Sequence, residues 1–108
     1  MQITKIANNM NFGLTRSKEY IKAERSLINN LQNKEEKKEA KNIAKQIKNE
    51  VPNGYLTVAT STDGDIFMLR TTNGNAVTYR QVGTVDMNNP IDTLETLHES
   101  LQKFNPKN

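Results

Sequence analysis

The sequence predicts an α+β domain in which a helical hairpin and a C-terminal helix pack on a three-stranded antiparallel β-meander, in the order α-α-β-β-β-α. Three observations predict it. Residues 17–50 contain neither Gly nor Pro and are dominated by good helix formers. Residues 55–82 then change to β-branched and aromatic runs cut by Asp63-Gly64 and Asn73-Gly74, dipeptides that favour tight hairpin turns. Beyond Pro90, apolar residues return at helical spacing as Ile91, Leu94, Leu97, Leu101 and Phe104.

Taken in order, residues 1–15 read as an N-terminal arm, with a strand signal at Gln2 to Ile6 and a loop signal at Asn8, Asn9, Asn11 and Gly13. Residues 16–108 read as the single α+β domain. Within 17–50 the apolar phase reverses: at about 100° per residue, Tyr20, Ile21, Leu27, Ile28 and Leu31 share one side, and Ala40, Ile43, Ala44, Ile47 and Val51 lie roughly opposite. One straight helix would bury opposite faces in its two halves. Asn33, followed by Glu36 three residues later, supplies a cap for a new helix, so the stretch reads as two helices, 17–32 and 34–50. Pro52-Asn53-Gly54 stops the second.

The strands are expected at Tyr55 to Ser61, Ile66 to Thr71 and Ala76 to Val82. With Asp63-Gly64 and Asn73-Gly74 as the central residues of two-residue loops, one face collects Leu56, Val58, Phe67, Leu69, Arg80 and Val82. The other collects Tyr55, Thr57, Met68, Arg70, Val77 and Tyr79. In that register Met68 lies opposite Ala59 and Tyr79, and Arg70 opposite Thr57 and Val77. The first face holds the larger aliphatic set and is the expected core. For the last helix, Asn89 or Asp92 is the candidate cap, and Asn105-Pro106 ends it.

Composition limits the chemistry. Of 108 residues, 34% are apolar, which makes for one thin core. There is no cysteine, so disulfides, thiolate metal sites and thiol nucleophiles are excluded. No apolar run approaches the length of a membrane span, and a cytoplasmic location is the expectation. The net charge of +3 is unevenly spread: residues 1–53 carry 11 Lys or Arg against 6 Glu, and residues 54–108 carry 4 against 6 Asp or Glu.

No catalytic or metal-binding signature emerges. His98 is the sole histidine; a Ser-His-acid set would need it beside Ser17, Ser26, Ser61 or Ser100, none of which sits in a nucleophile elbow. At the margin of the last helix's apolar stripe it reads as a packing residue. Asp63 and Asp65 flank a turn, where Asp is favoured for its own sake, without the alternating ligands of a calcium loop. The five glycines stand singly at turns and boundaries, so no phosphate-binding loop is present. No cofactor or metal is implied, and the chain reads as a non-enzyme.

Two features stand above background. Lys34, Lys38, Lys41, Lys45 and Lys48 fall within about an 80° arc of the second helix, a basic stripe suited to an anionic partner such as nucleic acid. No neighbouring arginine or interleaved aromatic accompanies it, and Glu35, Glu36 and Glu39 lie close, so a solvated helix face explains it as well. The second feature is the sheet face with Tyr55, Met68, Arg70 and Tyr79, residue types enriched at protein interfaces. The function read from the sequence is accordingly a protein-interaction module (an adaptor, inhibitor or self-associating domain) using that face. Nucleic-acid binding through the lysine stripe is the alternative.

Overall fold

A computed structural model describes residues 14–104. The strand signal at Gln2 to Ile6 and most of the expected arm lie outside the described residues. The elements are β1 (Thr15–Arg16), α1 (Lys18–Asn29), α2 (Lys34–Lys48), β2 (Tyr55–Ser61), β3 (Gly64–Asn73), β4 (Ala76–Thr84) and α3 (Pro90–Gln102). The α+β class and the α-α-β-β-β-α order stand, with one addition. The sheet has four strands in the order β1-β2-β3-β4, because Thr15 and Arg16 pair in parallel with Tyr55 and Leu56. Two residues are too few to show a strand period, so this strand left no signal in the sequence.

The helical hairpin forms as the phase reversal requires. Ser17 caps α1: its Oγ accepts from the Tyr20 amide at 3.0 Å and donates to Thr57 Oγ1 at 2.8 Å, which ties the start of the helix to β2. Asn33 caps α2, its Oδ1 accepting from the amides of Glu35 at 2.7 Å and Glu36 at 3.2 Å. Each such cap is worth about 1 kcal/mol. Tyr20 and Leu27 of α1 and Ala40, Ile43, Ala44 and Ile47 of α2 are buried. Tyr20, Leu27, Ala40, Ile43 and Ile47 form one core with Leu94, Leu97 and Leu101 of α3 and Leu56, Phe67, Leu69 and Val82 of the sheet.

Between α2 and β2 the chain turns tightly. Gly54 N–H donates to the Val51 carbonyl at 2.9 Å across Pro52 and Asn53. Asn53 takes a positive φ of 71°, as the third position of a type II turn requires. Val51 itself sits at φ 45°, an unfavourable backbone for a β-branched residue, while its side chain is 4% exposed. Gly54 is where β1 closes on this turn. Its carbonyl accepts from the Thr15 amide at 2.9 Å, and a Cβ there would stand 2.9 Å from Val51 Cγ1 and 3.1 Å from Leu14 Cδ1.

Both hairpin loops sit one residue away from the positions expected from the glycines. Ser61 pairs with Gly64, so the first loop is Thr62-Asp63; Asn73 pairs with Ala76, so the second is Gly74-Asn75. In the first, Ser61 Oγ accepts from the Asp63 amide at 3.2 Å and donates to the Gly64 carbonyl at 2.7 Å, and Gly64 provides φ 123° as the first residue of β3. In the second, Gly74 at φ 65° occupies the first central position, the Gly-X pattern of a type II′ turn. The expected cross-strand partners therefore change by two residues. Met68 lies opposite Thr57 and Gln81, and Arg70 opposite Tyr55 and Tyr79. Because the change is even, each side chain stays on its expected face.

A β-bulge at Val82 completes the inner face. Gln81 pairs with Met68 and Gly83 with Phe67, leaving Val82 unpaired between them. Val82 is 4% exposed, and a Cβ on Gly83 would lie 3.3 Å from the Phe67 ring, so both consecutive residues face the core. Glycine at the second of them lets α3 settle against β4. At the start of α3 the candidate caps give way to a different device: Asn89 holds the cap position but makes no side-chain cap bond. Instead Asp86 accepts from the Asn88 amide at 3.0 Å and from Asn89 Nδ2 at 2.8 Å. These hydrogen bonds, that of Asn89 foremost, hold the Asp86 carboxyl below its ordinary pKa.

Candidate functional site

The three described helices lie on the inner side of the sheet, and the outer face, which none of them covers, is the principal candidate site. The four residues named there from sequence are brought together. Tyr55, Arg70 and Tyr79 are direct partners across β2, β3 and β4 and form a continuous row, with Met68 in the adjacent row between Thr57 and Gln81. The Arg70 guanidinium lies 4.6 Å from the centroid of the Tyr55 ring, within cation–π range. Tyr55, Met68 and Arg70 are half-buried by their strand neighbours, and Tyr79 is 62% exposed. Val77, on the same face near the hairpin tip, is 52% exposed. From Thr72 to Gln81 every residue is exposed.

The lysine stripe divides. Lys41, Lys45 and Lys48 line an open cleft of about 250 Å³ between α1 and α2, floored by Ile28 and Ala44, whereas Lys34 and Lys38 are exposed on the N-terminal part of α2 and do not line it. Contrary to the expectation of a stripe without arginine, Arg16 of β1 joins the cleft and approaches Glu24 at 3.9 Å. That convergence needs the β1–β2 pairing and could not be read from helical spacing. Glu24 also accepts a 2.8 Å bond from the Tyr20 hydroxyl. Burial first, and the Glu24 carboxylate second, push the Tyr20 phenol far above its ordinary pKa of 10.0, so it is a permanent donor.

His98 Nε2 lies 2.8 Å from Glu50 Oε2 and links α3 to the segment that follows α2. Asp65 accepts from Thr60 Oγ1 at 3.4 Å beside the first hairpin loop, and both Asp63 and Asp65 are exposed. Among the described residues no group of three or more His, Asp and Glu side chains is placed to hold a metal ion, and no helix is long and apolar enough to cross a membrane.

The described residues thus define a sheet backed by helices on one face. No known protein family, curated protein or solved structure matches the chain.

Proposed function

We propose that this domain is a non-enzymatic protein-interaction module, acting in the cytoplasm, that binds its partner with the outer face of the sheet. The observation that carries the reading is the Tyr55–Arg70–Tyr79 row, which lies side by side on a face that no described helix covers. Tyr and Arg supply large contact area and polar tips, and such residues dominate binding energy where water is excluded around them. The Arg70–Tyr55 stack holds two of the three in place before a partner arrives, which lowers the ordering cost of association.

The test compares one captured partner across variants. Tyr79→Ala and Arg70→Ala are each expected to weaken its binding about tenfold or more, equivalent to about 1.4 kcal/mol, with the melting temperature of the isolated domain nearly unchanged. A variant that unfolds the monomer, or a partner held equally well by both variants, contradicts the reading.

A second reading is supported by the approach of Arg16 to Lys41, Lys45 and Lys48: weak, sequence-independent nucleic-acid binding in the α1–α2 cleft. Replacing Lys41, Lys45 and Lys48 by Gln is then expected to reduce binding and flatten its salt dependence. No binding to a labelled oligonucleotide at low ionic strength would leave these lysines as a solvated face.

A further inference from the structure

We infer that β4 is a docking edge that accepts an extended, acidic segment of a partner protein as a fifth strand. The inference rests on the proposed protein-binding role of the outer face and states how the partner lies beside it. β4 is the last strand of the sheet, and no described residue pairs with its free edge. The two-residue loop makes Asn73 and Ala76 a hydrogen-bonded pair. Alternation along an antiparallel ladder then turns the N–H and C=O groups of Val77, Tyr79 and Gln81 away from β3 and off the edge.

Sheet edges of this kind are usually protected by shortness, proline, lysine or a bulge. The opposite edge is protected by shortness, since β1 has two residues. On β4 the bulge falls at Val82, leaving Ala76 to Gln81 regular, exposed and free of proline and lysine.

Charge identifies the occupant. Between Ile66 and Val85 there is no acidic residue, and the charged side chains are Arg70 and Arg80. Arg80 lies on β4 itself, facing the inner side, with its guanidinium 5.6 Å from the centroid of the Phe104 ring and no ion-pair partner among the described residues. An incoming strand places alternate residues on the two faces. Those facing the same side as Arg80 are favoured as Asp or Glu, because opposite charges on neighbouring strands attract and like charges repel. Those on the Tyr79 side meet Val77 and Tyr79 and are favoured as apolar. A second copy of β4 would bring only further arginine to the edge, so charge favours a different, acidic partner.

The probe is an acetylated peptide alternating valine and glutamate, titrated into isotope-labelled protein, with a valine–lysine peptide as control. The glutamate peptide is expected to bind saturably, to slow exchange of the Val77, Tyr79 and Gln81 amides at least tenfold, and to bind at least tenfold more tightly than the lysine peptide. Val77→Pro removes an outward N–H that β3 does not use, at an edge position where proline is tolerated, and is expected to weaken binding at least tenfold. Should that variant fail to fold, Arg80→Glu serves instead and is expected to reverse the preference between the two peptides. Absence of saturable binding, equal binding of both peptides, or a dimer whose own β4 amides are already protected would overturn the inference. A natural partner lost in Tyr79→Ala but retained in Val77→Pro would refute strand addition and leave the outer-face reading standing.

Discussion

On the inner face of the sheet Leu56, Phe67 and Leu69 are at most 1% exposed beneath the three described helices, whereas on the outer face Tyr55, Met68 and Arg70 are half-buried and Tyr79 is 62% exposed. The two faces come from the same three alternating runs, and the inner one holds the larger aliphatic set. The apolar stripes of the helices land on that face. The face meeting Leu27, Ile47, Leu94 and Leu97 becomes core, and the face that no described helix meets becomes surface. Alternation assigns residues to faces, and the packing of helices decides which face is dry.

Truncating one aromatic on each side of the sheet separates the two faces. Phe67→Ala is expected to destabilise the domain by about 3–5 kcal/mol in denaturant unfolding. Tyr79→Ala is expected to change stability by less than about 0.5 kcal/mol. Equal losses would mean that the outer face also holds the fold together.

Gly54→Ala probes the close approach of Leu14, Val51 and Gly54 at the margin of the inner face. With Val51 Cγ1, Leu14 Cδ1 and the Val51 carbonyl oxygen 2.9–3.1 Å from the new Cβ, it is expected to cost about 1–3 kcal/mol, read as a lower denaturation midpoint. A neutral outcome would show that β1 and the turn separate easily.

Tyr20 tests the inner side by pH. Its phenol is held protonated above the ordinary value of 10.0, so the unfolded chain releases this proton first and the domain loses stability as pH rises beyond that value. The loss approaches about 1.4 kcal/mol per pH unit. Tyrosinate absorbance is expected to show one of the three tyrosines ionising only as the fold is lost, and Tyr20→Phe to remove that component.

The smallest expected effect concerns the hairpin that roofs the inner face. Asn33→Ala removes the cap of α2 at about 1 kcal/mol. In the unaltered domain, hydrogen exchange is expected to be faster at residues 32–35 than in the helices on either side; uniform protection there would mean one continuous helix.

Much of this fold was legible in the sequence because it depends on local pattern. The reversal of apolar phase placed the break between α1 and α2, and β2 runs from Tyr55 to Ser61 as its composition indicates. The loops were misplaced for a local reason as well. Asp-Gly and Asn-Gly announce a turn without saying whether glycine takes a central position or, as at Gly64, the first place in the strand beyond. Sequence pattern assembled the Tyr55, Met68, Arg70 and Tyr79 face correctly, although its internal pairings needed the observed register. Arg16 beside Lys45 and the bulge at Val82 are products of tertiary pairing, and no spacing along the chain encodes them.

The parallel pairing of β1 with β2 has a kinetic consequence. Thr15 and Tyr55 are 40 positions apart, with the whole helical hairpin looped between them, whereas the β2–β3–β4 meander and the α1–α2 hairpin close over short stretches of chain. Closing the larger loop yields two strand residues and the burial of Leu14, a small return for the chain entropy lost. The local hairpins are therefore expected to be built by the folding transition state and β1 to dock after it. Leu14→Ala would then speed unfolding and leave the refolding rate nearly unchanged, giving a chevron displaced on one arm alone.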